Sequence, residues 1–161
     1  MLKRIILVGL LAIIPMGAMA QSIPFLDNVR VKTGYWDLGD LGGKAGVGVD
    51  AKLNILGSRW LVGAEAAGGS DVLGLNANYL LGDMPMIGFS VYYGIGGSIY
   101  RVDGPGGADT TLGAQAVVGI DVKGSLYAEG RYCVLTDLDE DEIGASDIDG
   151  LRLMVGYRWD F

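Results

Sequence analysis

Histidine is absent from this 161-residue chain, and cysteine occurs once. Without histidine, a Ser–His or Asp–His hydrolase or acyltransferase mechanism has no general base, so that group of envelope enzymes is disfavoured. A lone Cys133 cannot close an intramolecular disulfide and reads as a small buried filler rather than a reactive thiol or cross-link site. Proline is scarce, at four residues. After residue 20 no apolar run reaches the roughly 20 residues that a membrane-spanning helix needs. Basic residues are the minority, 12 against 19 acidic. Setting aside Lys3 and Arg4 leaves 10 against 19, or −9. That balance repels phosphate backbones and excludes nucleic acid as a partner.

What is present begins with a three-part leader. Lys3 and Arg4 form a basic region, Ile5 to Ile14 an apolar one, and Ala18-Met19-Ala20 a small-residue cleavage site before Gln21. Residues 1–20 therefore read as a secretory signal peptide, and residues 21–161 as one domain. The apolar stretch is too short for a membrane anchor. No Cys follows the cleavage site, so a lipoprotein is not expected.

Half of the residues are hydrophobic and 28 are glycine. The hydrophobic ones alternate with polar ones instead of recurring at helical spacing, which specifies strands. Eight such stretches can be traced, at 29–36, 45–55, 60–66, 73–81, 87–96, 112–123, 126–134 and 151–161. The second is the clearest: Ala45, Val47, Val49, Ala51, Leu53 and Ile55 face one way, and Gly46, Gly48, Asp50, Lys52 and Asn54 the other. Gly82-Asp83-Met84-Pro85 is expected to break the fourth stretch, and Asp103 to Asp109 to form a long loop. An even number of segments near ten residues each, behind an export signal, predicts an all-β fold: an eight-stranded antiparallel up-and-down transmembrane β-barrel. Closure follows because lipid offers no hydrogen-bond partner to an open sheet edge.

That fold gives each stripe a role. Outward rings at Tyr35, Trp60, Tyr79, Phe89, Tyr93, Tyr132, Trp159 and Phe161 would form aromatic belts at the two interfaces, with Tyr35, Tyr93 and Tyr132 nearer the cell exterior. With the N-terminus in the periplasm, the fifth and seventh connections should be the long external loops. Inward charges at Arg30, Lys32, Asp50, Lys52, Glu65, Asp121, Lys123, Glu129, Arg131, Arg152, Arg158 and Asp160 should pair across the lumen, since an unpaired buried charge is far costlier than a paired one. Inward glycines at 46, 48, 74, 88, 94, 96, 113, 119 and 156 would make room for them. A static filling network is favoured over an ion gate, because eight strands leave an interior only wide enough for side chains.

Two other motifs carry little. The acidic run from Asp137 to Asp149 lacks the glycine and terminal glutamate of a calcium loop and reads as a solvated loop. Gly94-Ile95-Gly96-Gly97 lies within a strand pattern, not at a helix start, so it is no phosphate cradle. Neither a metal nor a cofactor is expected.

The last six residues, Gly156-Tyr157-Arg158-Trp159-Asp160-Phe161, alternate rings with glycine and charge. Gly156, Trp159 and Phe161 resemble the C-terminal signal read by the bacterial barrel-assembly machinery, although Met154 stands where that signal is usually polar. Together with Tyr127-Ala128-Glu129-Gly130-Arg131-Tyr132, this segment makes residues 29–161 resemble the small eight-stranded outer-membrane barrels of the OmpA transmembrane-domain and OmpX/Ail type. The resemblance implies a monomeric, non-enzymatic barrel in the bacterial outer membrane, with a structural or surface-interaction role. It implies contact with outer-membrane lipid and lipopolysaccharide, with the assembly machinery, and with an unidentified surface ligand. Wall tethering through a domain after Phe161 is not expected. Two alternatives remain: a narrow pore gated by lumen charges, and a secreted lipocalin-like binder of small apolar ligands.

Overall fold

A computed structural model describes residues 24–68, 71–122, 125–136, 143 and 149–161. Eight strands run β1 (Leu26–Asp37), β2 (Gly43–Ile55), β3 (Ser58–Ala67), β4 (Val72–Pro85), β5 (Phe89–Asp103), β6 (Ala108–Val122), β7 (Leu126–Leu135) and β8 (Gly150–Asp160). Each pairs antiparallel with the next, and β8 returns to β1, closing the barrel. Closure leaves no sheet edge, as an apolar solvent requires. One end, the near end, carries Leu26 and Asp160; the far end carries Asp37, Gly43, Leu135 and Gly150.

Strand alternation divides the side chains cleanly. Val47, Val118 and Leu153 lie on the outer wall, each more than half exposed, while Glu129 is 3% exposed inside. Val29 keeps its outer-face phase but is buried, set between Ala51 and Trp159. The wall residues that repeat along β4 and β5, such as Leu73, Leu75, Ile95 and Ile99, are likewise exposed.

Several boundaries differ from the sequence reading. Gly82-Asp83-Met84-Pro85 does not break β4; the ladder continues to Pro85 through a register shift between Leu80 and Gly82. One extra residue bends a strand without ending it, and Pro85 is tolerated because it sits last in the strand. β5 starts at Phe89 and runs to Asp103, and β6 begins at Ala108. The fifth connection is therefore the short turn 104–107, not a long loop. Ile87 and Gly88 fall in the turn before β5, Ile87 fully exposed and Gly88 at φ 93°, so Gly88 is a turn glycine rather than a lumen one. Phe161 lies just past the end of β8, its N–H donating to the Asp27 carbonyl. The first connection holds a short 3₁₀ turn, Gly39–Leu41.

The interior is not uniformly polar. At the far end Trp36, Leu38, Ala67, Val72, Tyr100, Val102, Ile143 and Met154 form an apolar cluster that draws Leu38 and Ile143 from the connections. A second, smaller cluster joins Leu61, Leu80, Tyr92 and Val117. Tyr100 links the first cluster to Glu65, and Tyr92 links the second to Glu129.

Candidate functional site

Six strands bring charge into the lumen at alternating positions: Arg30 and Lys32 from β1, Asp50 and Lys52 from β2, Glu65 from β3, Asp121 from β6, Glu129 and Arg131 from β7, and Arg152 and Arg158 from β8. Register sets like charges side by side at two places, although Arg30 also faces Asp50 on β2. Arg131 lies directly opposite Arg152, and Arg30 opposite Arg158. Such neighbours repel along a sheet surface, and here they reach across the cylinder instead.

Arg131 is the hub. Its guanidinium meets Glu129 at 2.6 Å, Asp50 at 2.9 Å and Glu65 at 3.5 Å. Lys32 meets the same three carboxylates, at 2.7 Å from Asp50, 3.2 Å from Glu65 and 3.6 Å from Glu129. Arg152 reaches Glu65 at 2.7 Å, and Arg30 and Arg158 converge on Asp121 at 2.9 and 2.8 Å. Arg30, Lys32, Arg131 and Arg152 thus face Asp50, Glu65, Asp121 and Glu129, a neutral set of fully or almost fully buried groups. Neutrality matters because a buried charge left without its partner costs about 3–5 kcal/mol.

Toward the near end the pairing loosens into solvent. Lys52 meets Asp83 at 3.1 Å and Arg59 meets it at 3.2 Å, with the Arg59 side chain 36% exposed. Asp160, expected in the lumen, sits at the rim with its side chain 57% exposed, 3.3 Å from Arg158. It is the terminal residue of β8, where alternation no longer encloses it. Lys123 lies outside the described residues, as does the acidic run from Asp137 apart from Ile143 and Asp149.

Inward rings complete the cluster, and the sequence reading singled out none of them as site residues. The Tyr92 hydroxyl donates to Glu129 at 2.7 Å. The Tyr100 hydroxyl donates to Glu65 and accepts from Arg152. The Arg30 guanidinium lies 4.7 Å from the Tyr92 ring centre and 5.0 Å from that of Tyr127; Arg152 lies 4.4 Å from Trp36 and 4.3 Å from Tyr100. Faces of aromatic rings attract desolvated cations, so these rings hold the arginine planes that the carboxylates grip by their edges.

The glycines explain how the rings fit. Tyr100 pairs in register with Gly74, Tyr92 with Gly119, and Tyr127 with Gly156. A Cβ at Gly74, Gly119 or Gly156 would run into the facing ring, and one at Gly46 into the Trp36 indole. These inward glycines make room chiefly for aromatics, not for charges as expected. Gly48 does serve a charge, with Lys32 packed over it. The signal was available: each buried tyrosine has the inward phase and a glycine opposite, but pairing a tyrosine with its glycine requires register.

On the outer wall, Tyr35, Tyr79, Phe89, Tyr93, Tyr132, Trp159 and Phe161 are all exposed, and Trp60 half-buried. Trp60 packs edge-on against Tyr79 at 5.3 Å, and Trp159 against Tyr157 at 4.9 Å. Phe89 begins β5 at the near end, while Tyr35 and Tyr132 lie toward the far end of their strands. Tyr93, expected near the far rim, is only four residues from Phe89 and ten from Asp103. The difference arises because β5 runs on to Asp103, seven residues beyond Gly96, where alternation seemed to stop it. Gly156 lies beneath Tyr127 in the lumen.

The chemistry this arrangement offers is cohesion. Every central carboxylate is held by at least one cation, and the side chains of Lys32, Asp50, Glu129 and Arg131 have no solvent exposure. Cys133 is buried and donates to Gln115 Oε1 at 3.3 Å. Among the described residues, no three His, Cys, Asp or Glu side chains gather in a way that could hold a metal ion.

No protein-family model matches the chain, and no curated protein matches it in sequence. Among solved structures, the barrel is similar to the crystal structure of Neisserial surface protein A, with a TM-score of 0.64. The match covers 85% of this chain and 97% of that one at 17% identity. At that identity the likeness is one of fold: a closed, all-β, antiparallel up-and-down barrel of eight strands.

Proposed function

We propose that this chain is a non-enzymatic barrel of the bacterial outer membrane that does not conduct ions and acts as a structural or surface-interacting element of the envelope. One observation carries the reading: a closed cylinder whose exposed wall is apolar and whose lumen is filled by a buried, charge-neutral ion-pair cluster. A water-soluble binder would have to leave that wall in water, whereas acyl chains solvate it readily. The fold likeness to a protein named for its surface position supports a surface role. Membership of the OmpA-domain or OmpX/Ail type, a monomeric state, export by the leader, and use of Gly156, Trp159 and Phe161 in assembly belong to the same proposal.

The deciding experiment is fractionation with electrophoresis of unboiled and boiled samples. Recovery in the outer-membrane fraction, with a band that shifts on boiling, is expected; recovery in the soluble periplasm would overturn the reading. Planar-bilayer recording adds the second half. Near-zero conductance is expected for the wild type, and stable channels of uniform size would show that the lumen cluster opens.

A further inference from the structure

One oxygen stands apart in the charged cluster. Every other oxygen of Asp50, Glu65 and Glu129 meets a cation or a tyrosine hydroxyl, but Asp50 Oδ1 has no partner among the described residues. It lies over β3, where a Cβ at Gly63 would run into it. Gly63 pairs in register with Asp50 on one side and Asn76 on the other, and Asn76 pairs with Ser98. Asn76 Nδ2 and Ser98 Oγ likewise have no hydrogen-bond partner among the described residues. Asp50 is 1% exposed, and Asn76 and Ser98 are 6% exposed. One inward row therefore holds an idle acceptor, an idle donor and an idle hydroxyl, the first two separated by a residue without a side chain. Buried polar groups are costly to leave unpaired.

The idle donor ends a chain of hydrogen bonds. Cys133 Sγ donates to Gln115 Oε1 at 3.3 Å, Gln115 Nε2 to Asn78 Oδ1 at 2.8 Å, and Asn78 Nδ2 to Asn76 Oδ1 at 3.4 Å. The donors all point one way, from β7 through β6 to β4, and the chain stops at Asn76 Nδ2. On the other side of Gly63, Arg131 Nη2 donates to Asp50 Oδ2 at 2.9 Å. Arg131 is again on β7, two residues from Cys133. A single link from Asn76 to Asp50 would close a hoop of side chains around the lumen and join its uncharged arc to the ion-pair lattice.

We propose that a bound water is that link, accepting from Asn76 Nδ2, donating to Asp50 Oδ1 and taking Ser98 Oγ as its third partner. Three polar contacts are usual for a buried water. A Cβ at Gly63 would stand about 5 Å from that of Asn76, and two hydrogen bonds in series through a water reach about as far. Chemistry selects the occupant, because water can both accept from the amide and donate to the carboxylate. A cation would face the Asn76 N–H, beside a carboxylate that already serves Lys32 and Arg131. An anion would face Asp50. The inference concerns the lumen alone and holds whatever solvent meets the outer wall.

The test is water–protein cross-relaxation by NMR on the full chain folded in detergent micelles. A cross-peak at the water frequency, with the sign of a long-held water, is expected at the Asn76 side-chain amide. Ser98→Ala should keep that cross-peak, since two contacts remain and no exchanging hydroxyl can relay it. The same variant should lower the urea midpoint of the unboiled gel band, by the equivalent of about a fivefold fall in the folded-to-unfolded ratio, the scale of one neutral hydrogen bond. The Ser98 hydroxyl has no partner within the described protein, so at a dry site its removal would leave the midpoint unchanged or raise it. Gly63→Ala should abolish the cross-peak, because the new Cβ displaces Asp50 Oδ1. Ser98→Ala is the milder change and keeps the test readable should Gly63→Ala fail to fold. Four results would each overturn the proposal: no cross-peak in the wild type, its loss in Ser98→Ala, its survival in a folded Gly63→Ala, or an unchanged or raised midpoint in Ser98→Ala. An Asn76 amide signal that moves when sodium is exchanged for lithium or potassium would place a cation there and overturn it equally.

Discussion

The lumen holds two kinds of filling that answer to different physics. At the far end, Trp36, Leu38, Val72 and Ile143 pack as an ordinary apolar core. Beside them Lys32, Asp50, Glu65, Glu129 and Arg131 form a lattice with no solvent exposure to speak of. An apolar cluster loses stability in proportion to volume removed, and its neighbours relax in part. A charge lattice fails by partnership: deleting one member strands the others in a low-dielectric interior. The first region should tolerate gradual change, and the second should not.

The largest expected effect is therefore Arg131→Met. It keeps much of the side-chain volume but leaves Asp50, Glu65 and Glu129 without their shared guanidinium. A loss of about 3–5 kcal/mol is expected, read as the urea midpoint at which the unboiled gel band disappears. Adding Glu129→Gln to the same chain should recover part of that loss, because it restores the charge balance that Lys32 alone cannot keep against three carboxylates; a double variant less stable than the single would break the comparison.

Next comes the packing that ties the smaller apolar cluster to the lattice. Gly119→Ala places a Cβ against the Tyr92 ring, which holds both Glu129 and Arg30. Overpacking of this kind costs about 1–3 kcal/mol. Pairing it with Tyr92→Phe, which keeps the ring but drops the hydroxyl, separates the two contributions: the clash should persist while the Glu129 bond is gone. The smallest effect is expected in the apolar cap, where Ile143→Val should cost about 1 kcal/mol in the same assay. A loss there as large as that of Arg131→Met would mean that the cap, not the lattice, holds the barrel shut.

Much of the architecture was legible because alternation is a local signal. Ala45 to Ile55 announces its two faces without knowledge of any neighbour, and so does Leu112 to Val122. What was lost is what depends on pairing. The register shift at Leu80 and Gly82 carries β4 through residues that look like a stop, bringing Asp83 to Lys52 and Arg59. The same dependence hid the fifth connection, where turn-rich composition conceals ladder pairs from Val102–Asp109 to Asp103–Ala108. Trp36, Tyr100 and Tyr127 were passed over as lumen residues because a ring inside a charged lumen looks misplaced until the glycine opposite it is known. Asp160 shows the converse error: inward phase means enclosure only while strands flank it on both sides.

The adjacency of Arg131 and Arg152, and of Arg30 and Arg158, bears on how the molecule comes to exist at all. Arg131 has Glu129 two residues away on its own strand, so that pair needs no closure. Its contacts to Asp50 and Glu65, and that of Lys32 on β1 to Glu129 on β7, join strands that meet only in the finished ring. The Arg30–Arg158 neighbourship is itself made by the β1–β8 seam, and Asp121 on β6 meets both guanidinium groups there. Stitching that seam therefore creates a repulsion and its remedy together, and ties the last step of assembly to the choice of partner across the hoop.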